Sequence, residues 1–153
     1  MEITIPIAAL KEIAGYLQAG MNCWYHIPTG EVLYAPDSME SLDFDEGQWR
    51  DIFNEIDKKM HESIAFEGLG SHEEYRIMES FAENEVSDPG VRSRLIHAIN
   101  QRKPFMHFKS AIHYDGDYLE AWYAFRTKRY LDHLQEELDF YNSKKVENNE
   151  DEE

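Results

Sequence analysis

A single cysteine, Cys23, stands in a chain of 153 residues. One thiol excludes an intramolecular disulfide, and with it the stapled frameworks of small secreted domains; it fits a reducing compartment. Long apolar runs are also missing, since no stretch approaches the roughly 20 apolar residues of a membrane-spanning helix. The first residues, Met1-Glu2-Ile3-Thr4-Ile5-Pro6, contain neither the basic nor the apolar stretch of a secretory signal. These absences place the protein in the cytoplasm, away from membranes. Basic residues are scarce: 15 Lys and Arg face 31 Asp and Glu, for a formal net charge of −16. Such a field repels phosphates and argues against nucleic acid as a partner.

The usual signatures of chemistry are absent as well. There is no G-x-G-x-x-G and no P-loop. Gly68-Leu69-Gly70 ahead of Ser71 reads as a strand-to-helix turn. No two of the seven histidines are four residues apart, the spacing at which a helix presents a metal-binding pair. His107 and His113 are six apart and point to different helix faces. His72-Glu73-Glu74 reads as a polar first turn that suits a helix dipole. Asp115-Gly116-Asp117 resembles the start of a calcium loop, but its sixth and twelfth positions are Glu120 and Arg126, where glycine and glutamate are required. Cys23 falls in a predicted strand, as small core residues do. The reading is therefore no metal, no cofactor and no assignable catalytic residue.

What is present is enough for a core. Apolar residues make up 42% and aromatics 13%, and a chain of this length buries roughly 70% of its extended surface on folding. No internal repeat occurs. We expect one α+β domain over residues 1–142 and a disordered acidic tail over 143–153, whose only apolar residue is Val146. The first helix is predicted from Pro6 to about Ala19, with Leu10, Ile13, Ala14 and Leu17 at helical spacing and Gly20 as its stop. A hairpin follows, with Cys23, Tyr25 and Ile27 alternating against Asn22, Trp24 and His26. Its turn is Pro28-Thr29-Gly30 and its return strand Glu31-Val32-Leu33-Tyr34. Ala35 to Gly47 reads as an acidic loop.

A helix is expected at about 46–60, with Trp49, Ile52, Phe53, Ile56 and Met60 as its stripe. A third strand runs from Glu62 to Phe66. After Ser71 every element reads as helix. Ser71 and Glu74 fit a capping box, and Tyr75, Met78 and Phe81 follow at helical spacing. Asp88-Pro89 opens a helix bearing Val91, Leu95, Ala98 and Ile99. Pro104 opens another with Phe105, Phe108 and Ile112. Asp115-Gly116 is a turn, and Asp117 with Glu120 caps a long helix that ends near Asn142 and carries Tyr123, Tyr130, Leu134, Leu138 and Tyr141. A small three-stranded antiparallel sheet packed with about five to six helices is the expected architecture, the C-terminal half being all helical.

Charge is unevenly distributed. From Pro89 to Tyr114 there is no acidic residue, while Arg92, Arg94, Arg102, Lys103 and Lys109 fall in that stretch together with His97, His107 and His113. This island either pairs with the chain's own acidic segments, docks an acidic partner protein through Arg92, Arg94, Arg102 and Lys103, or holds a phosphate or nucleic acid against an unfavourable surrounding field.

Three segments of the helical half carry a resemblance: Tyr75-Arg76-Ile77-Met78-Glu79-Ser80-Phe81, Phe105-Met106-His107-Phe108-Lys109-Ser110-Ala111, and Ala121-Trp122-Tyr123-Ala124-Phe125-Arg126. Together with Thr29-Gly30-Glu31-Val32 they resemble an uncharacterised bacterial family of small acidic proteins of unknown function, over roughly residues 5 to 135. Ser80 and Ser110 stand where that family often has an acid, and the first helix matches poorly. The resemblance implies a shared fold without an assigned activity. It directs attention to Arg76, Glu79, Lys109, Trp122 and Arg126, polar or amphipathic residues set among aromatics. Their plainest role is to cover aromatic core with their stems; the alternative is a pocket where Arg76, Lys109 and Arg126 converge on an anion. Two functions follow. A non-enzymatic interaction or regulatory module is favoured, and a small anionic-ligand binder or enzyme built on the Arg and Lys cluster is the alternative.

Overall fold

The computed structural model describes residues 2–36, 46–114 and 116–151. Most of the acidic loop expected from Ala35 to Gly47, together with Asp115 of the expected turn and the last two residues of the tail, lies outside them. The fold is α+β. Among the described residues there are six α-helices and one three-stranded antiparallel sheet: α1 (Ile7–Gln18), β1 (Met21–His26), β2 (Val32–Pro36), α2 (Glu46–Lys59), β3 (Ser63–Phe66), α3 (Ser71–Asn84), α4 (Pro89–Ile99), α5 (Pro104–Tyr114) and α6 (Leu119–Asp151). No helix among the described residues is long and apolar enough to cross a membrane. Contacts divide the chain into two compact units, Met1–Gly68 with Tyr130–Glu153, and Leu69–Arg129.

In the first unit β1 is the central strand, in the order β2-β1-β3. The register sets Cys23 opposite both Tyr34 and Phe66, and Tyr25 opposite both Val32 and Ile64. Because side chains alternate along a strand, Cys23, Tyr25, Ile64 and Phe66 share one face, and all four are buried. Contacts of α1 are with β1 and β2; the Cys23 thiol lies 3.9 Å from the Ile13 carbonyl oxygen, and Tyr16 stacks on Tyr34 with ring centroids 3.9 Å apart. On the opposite face Leu33 and Ala35 form a second core with Ile56, flanked by Trp24, Ile52 and Phe53. The return strand thus runs past Tyr34 to Pro36. Ala35 is fully buried, so this part of the expected loop is strand; proline is tolerated there because β2 is an edge strand. Gly30 closes the hairpin at φ +73, a left-handed conformation that a side chain would strain. The first unit also takes Tyr130, Leu134 and Leu138 of α6, all buried. That helix continues to Asp151, beyond the expected end near Asn142.

The second unit is helical. Its core comprises Ile77, Met78, Phe81 and Ala82 of α3, Val86, then Val91, Leu95 and Ile99 of α4, Phe108 and Ile112 of α5, and Trp122 of α6. The Asp88 carboxylate caps α4 by accepting the Gly90 and Val91 amides at 2.8 and 3.2 Å, as the Asp-Pro pair predicts. The start of α3 differs from expectation. Gly70 is its N-cap, with no side-chain cap bond, and the Gly70 carbonyl accepts the Glu74 amide at 3.0 Å. Ser71 therefore sits inside the first turn, and no Ser71–Glu74 capping box forms. Asp117 likewise falls within a single 3-10 turn, Gly116–Tyr118, rather than directly ahead of α6.

Candidate functional site

The three segments that carry the resemblance lie on α3, α5 and α6. In the helical unit these helices line an open groove of about 330 Å³. Its floor is apolar: Met78 from α3, Phe108 and Ile112 from α5, and Trp122 from α6. The Trp122 indole meets Phe108 at 4.7 Å and Phe81 at 5.3 Å between ring centroids, both edge-on. These contacts fix the indole in place, since edge-to-face aromatic pairs add about 0.5–1.5 kcal/mol beyond burial. Two aromatic side chains form the lips, Phe105 at 42% and Tyr123 at 48% exposure.

The polar lining is divided by charge. Glu74 and Met78 are four residues apart and share one face of α3. From α6, Arg126 reaches Glu74 through Nη2 to Oε1 at 2.9 Å and Nε to Oε2 at 3.3 Å. This fork-shaped pairing matches guanidinium geometry to a carboxylate, and both side chains are largely shielded, at 26% and 14% exposure. On the α5 wall Phe105, Lys109 and His113 succeed one another at four-residue intervals, which places them along one helix edge. No carboxylate occurs anywhere on α5. Among the described residues, no carboxylate pairs with Lys109 or His113.

The profile of the Uncharacterised protein family (UPF0158) matches residues 23–152. The chain belongs to this family. The match starts within β1, so α1 stands outside it, and it extends well beyond residue 135 into the end of α6. Searches of curated proteins and of solved structures returned no match. The family is uncharacterised, so membership assigns no reaction.

Of the five residues singled out in the sequence, Lys109, Trp122 and Arg126 line the groove. Arg76 and Glu79 do not. Arg76 is exposed and lies two residues from both Glu74 and Met78, about 200° around the helix at 3.6 residues per turn, so it leaves α3 on the far side. Glu79 is half-buried on a flank of the same helix. The basic island is also divided. The Arg92 guanidinium caps the chain ahead of α4, donating to the Val86 carbonyl at 3.1 and 2.8 Å. Arg94 is exposed beside the start of the same helix. Arg102 and Lys103 are exposed in the connection between α4 and α5, roughly 10 Å or more along the axis from Arg92 at 1.5 Å per residue.

Beyond Lys109, Trp122 and Arg126, the lining adds Glu74, which reads in sequence as part of a cap, His113, which falls in the basic island, and apolar helix positions that include the two lips, Phe105 and Tyr123. For His113 a further sequence signal is its four-residue spacing from Lys109. Among the described residues no group of three His, Cys, Asp or Glu side chains could hold a metal ion. Cys23 is fully buried in the other unit, and burial, with Glu12 nearby, pushes its thiol up to about 12, a poor starting point for a nucleophile.

Proposed function

We propose that this protein is a cytoplasmic interaction module that holds an acidic partner segment by seating one large apolar side chain in the α3–α5–α6 groove. The observation that carries this reading is the combination of an aromatic floor, two half-exposed aromatic lips and a helix wall free of acid. The groove volume, about 330 Å³, is at the bottom of the range of roughly 300–1,000 Å³ occupied by small-molecule sites. It suits an anchor residue delivered by a larger partner, and buried aromatic anchors are where interface energy concentrates. Charge complementarity sets the partner's sign: Lys109 and His113 are on the groove wall, and Arg102 and Lys103 precede the same helix. The chain's net charge of −16 weighs against nucleic acid. A lone buried cysteine accords with the cytoplasm.

The anionic-ligand or enzyme alternative has less support. It needs Arg76, Lys109 and Arg126 to act together, whereas Arg76 is off the groove and Arg126 is paired with Glu74. Selection of peptides from a random display library against the whole chain tests the proposal, with each hit titrated into isotope-labelled protein. Enriched peptides should carry a large apolar residue beside acids and shift the resonances of groove residues. Phe105→Ala and Tyr123→Ala should each weaken them at least about fivefold, as truncation of an interface aromatic does. Hits without that signature, or shifts confined to the sheet unit, would refute the reading.

A further inference from the structure

We infer that the partner's acidic group is read by Lys109 and His113 on α5, and that Arg126 takes no part in that recognition. This rests on the proposed partner-binding role of the groove and assigns the residues that decide which partner enters. Two walls of the groove, α5 and α6, carry basic side chains. Arg126 carries the one guanidinium in the described lining, and guanidinium binds carboxylate in a planar fork. In the fold that fork is occupied. Both Nε and Nη2 face the two oxygens of Glu74, a carboxylate 52 residues away. An incoming acid would have to displace an internal carboxylate already in bidentate register, and would leave Glu74 only 14% exposed without its counter-charge. Removing one partner from such a pair leaves an uncompensated charge, which is expensive.

The opposite wall imposes no such competition. Lys109 and His113 are exposed and one helical turn apart, and both line the groove. Among the described residues Glu74 is the one carboxylate in the lining, and it is on the far wall. A segment whose anchor rests on Phe108 and Trp122 therefore brings a neighbouring acid to α5. Ammonium and imidazole groups spaced by one turn can engage a single carboxylate together or two acids along one strand of the partner. Discrimination then comes from both attraction at α5 and the unpaired-charge penalty against a basic segment beside the same wall.

The test is a thermodynamic cycle on the full-length chain. Two acetylated, amidated pentapeptides serve as probes, one with a central tryptophan flanked by two acidic residues on each side, the other with the corresponding amides. Binding is followed by chemical-shift titration at millimolar peptide. On the native chain the acidic probe should bind about fivefold or more tightly than the amide probe, the scale of an exposed ion pair near 1 kcal/mol. In a Lys109→Gln, His113→Gln chain that ratio should fall below about twofold, while the amide probe still shifts Trp122. Lys58→Gln, an exposed charge in the other unit, should leave the ratio intact. The inference fails if the ratio persists in the double variant and vanishes in Arg126→Gln. It also fails, with the groove reading standing, if both probes bind equally well to the native chain. If neither probe shifts any groove residue, the groove reading and this inference fall together.

Discussion

The guanidinium of Arg126 faces the carboxylate of Glu74 in a two-point contact, at 2.9 and 3.3 Å. Two positions 52 residues apart are thereby tied across the helical unit, α3 to α6. The contact neutralises the α6 wall of the groove, whose guanidinium would otherwise offer an anion a planar fork.

Because this pair is largely shielded from water, each half should matter more than a surface pair does. Glu74→Gln and Arg126→Gln should each cost about 1–3 kcal/mol in urea denaturation, the cost of leaving a shielded charged partner unsatisfied. The double variant should cost less than the sum, since the charge stranded by either single change is then gone. Strictly additive losses would mean that the two side chains do not act as a unit.

Asn142 makes the corresponding tie in the sheet unit. Its side-chain oxygen accepts the Ile3 amide at 2.9 Å and its side-chain nitrogen donates to the Ile3 carbonyl at 3.0 Å, so one amide group mimics a strand neighbour. Asn142→Ala removes both bonds and should destabilise by about 1–2 kcal/mol. Hydrogen exchange at the Ile3 amide should accelerate at least tenfold; an unchanged exchange rate would contradict the role given to Asn142.

The Asp88 cap offers a local test. Asp88→Ala frees the Gly90 and Val91 amides and should cost about 1 kcal/mol. Tyr118 Oη accepts the Asp88 amide at 3.2 Å and lies 3.1 Å from Ser87 Oγ, so Tyr118→Phe should add a smaller loss at the same helix start. Circular dichroism during thermal melting reads both.

Cys23 predicts behaviour in alkali. Its thiol is pushed from an ordinary value of 9.0 up to about 12 in the fold, mainly by burial. The unfolded chain therefore loses this proton more readily than the folded one. The stabilising difference is complete below about pH 9 and declines as pH rises toward about 12, by at most about 1.4 kcal/mol per pH unit. Comparing native protein with Cys23→Ala by urea denaturation at pH 8 and pH 10 isolates this contribution from other groups, Tyr16 included. The native chain should lose more stability over that interval. At pH 8 a thiol reagent should label the folded protein far more slowly than the denatured one.

Local elements were legible where one face of an element is buried. The apolar spacing of Leu10, Ile13, Ala14 and Leu17 marks α1, and all four are buried. The Asp88-Pro89 pair marks the start of α4 with its cap. What stayed hidden depends on tertiary partners. Ala35 reads as the start of a loop because Pro36 follows it; its burial under Ile56 is what makes it strand. Ser71 carries a cap signature, but the N-cap is one residue earlier, at Gly70, so the signature is out of register. Phe105 follows the same spacing as Phe108 and Ile112, yet it lies at the open end of the groove and remains 42% exposed. For the candidate site, Lys109, Trp122 and Arg126 were recoverable because they belong to aromatic motifs. Arg76 belongs to one too, and helical rotation alone takes it off the groove. The pairing of Arg126 with Glu74 had no sequence signal, since nothing in local periodicity reports a contact across 52 residues.

Leu69–Arg129 forms one compact unit between the two stretches that make up the other, Met1–Gly68 and Tyr130–Glu153. A ribosome delivers the chain in one direction. The sheet, with α1 and α2, is therefore synthesised first but cannot be completed until the inner unit has passed and the segment from Tyr130 onward emerges. At about 5–20 residues per second that wait is on the order of 3–12 seconds. Throughout it the faces that Tyr130, Leu134 and Leu138 will help bury remain without them, and Ile3 has no Asn142 to hold it. The order of nesting makes the earlier stretch of that unit wait longest for its final packing, and gives a chaperone that recognises exposed apolar surface its longest opportunity on the nascent chain.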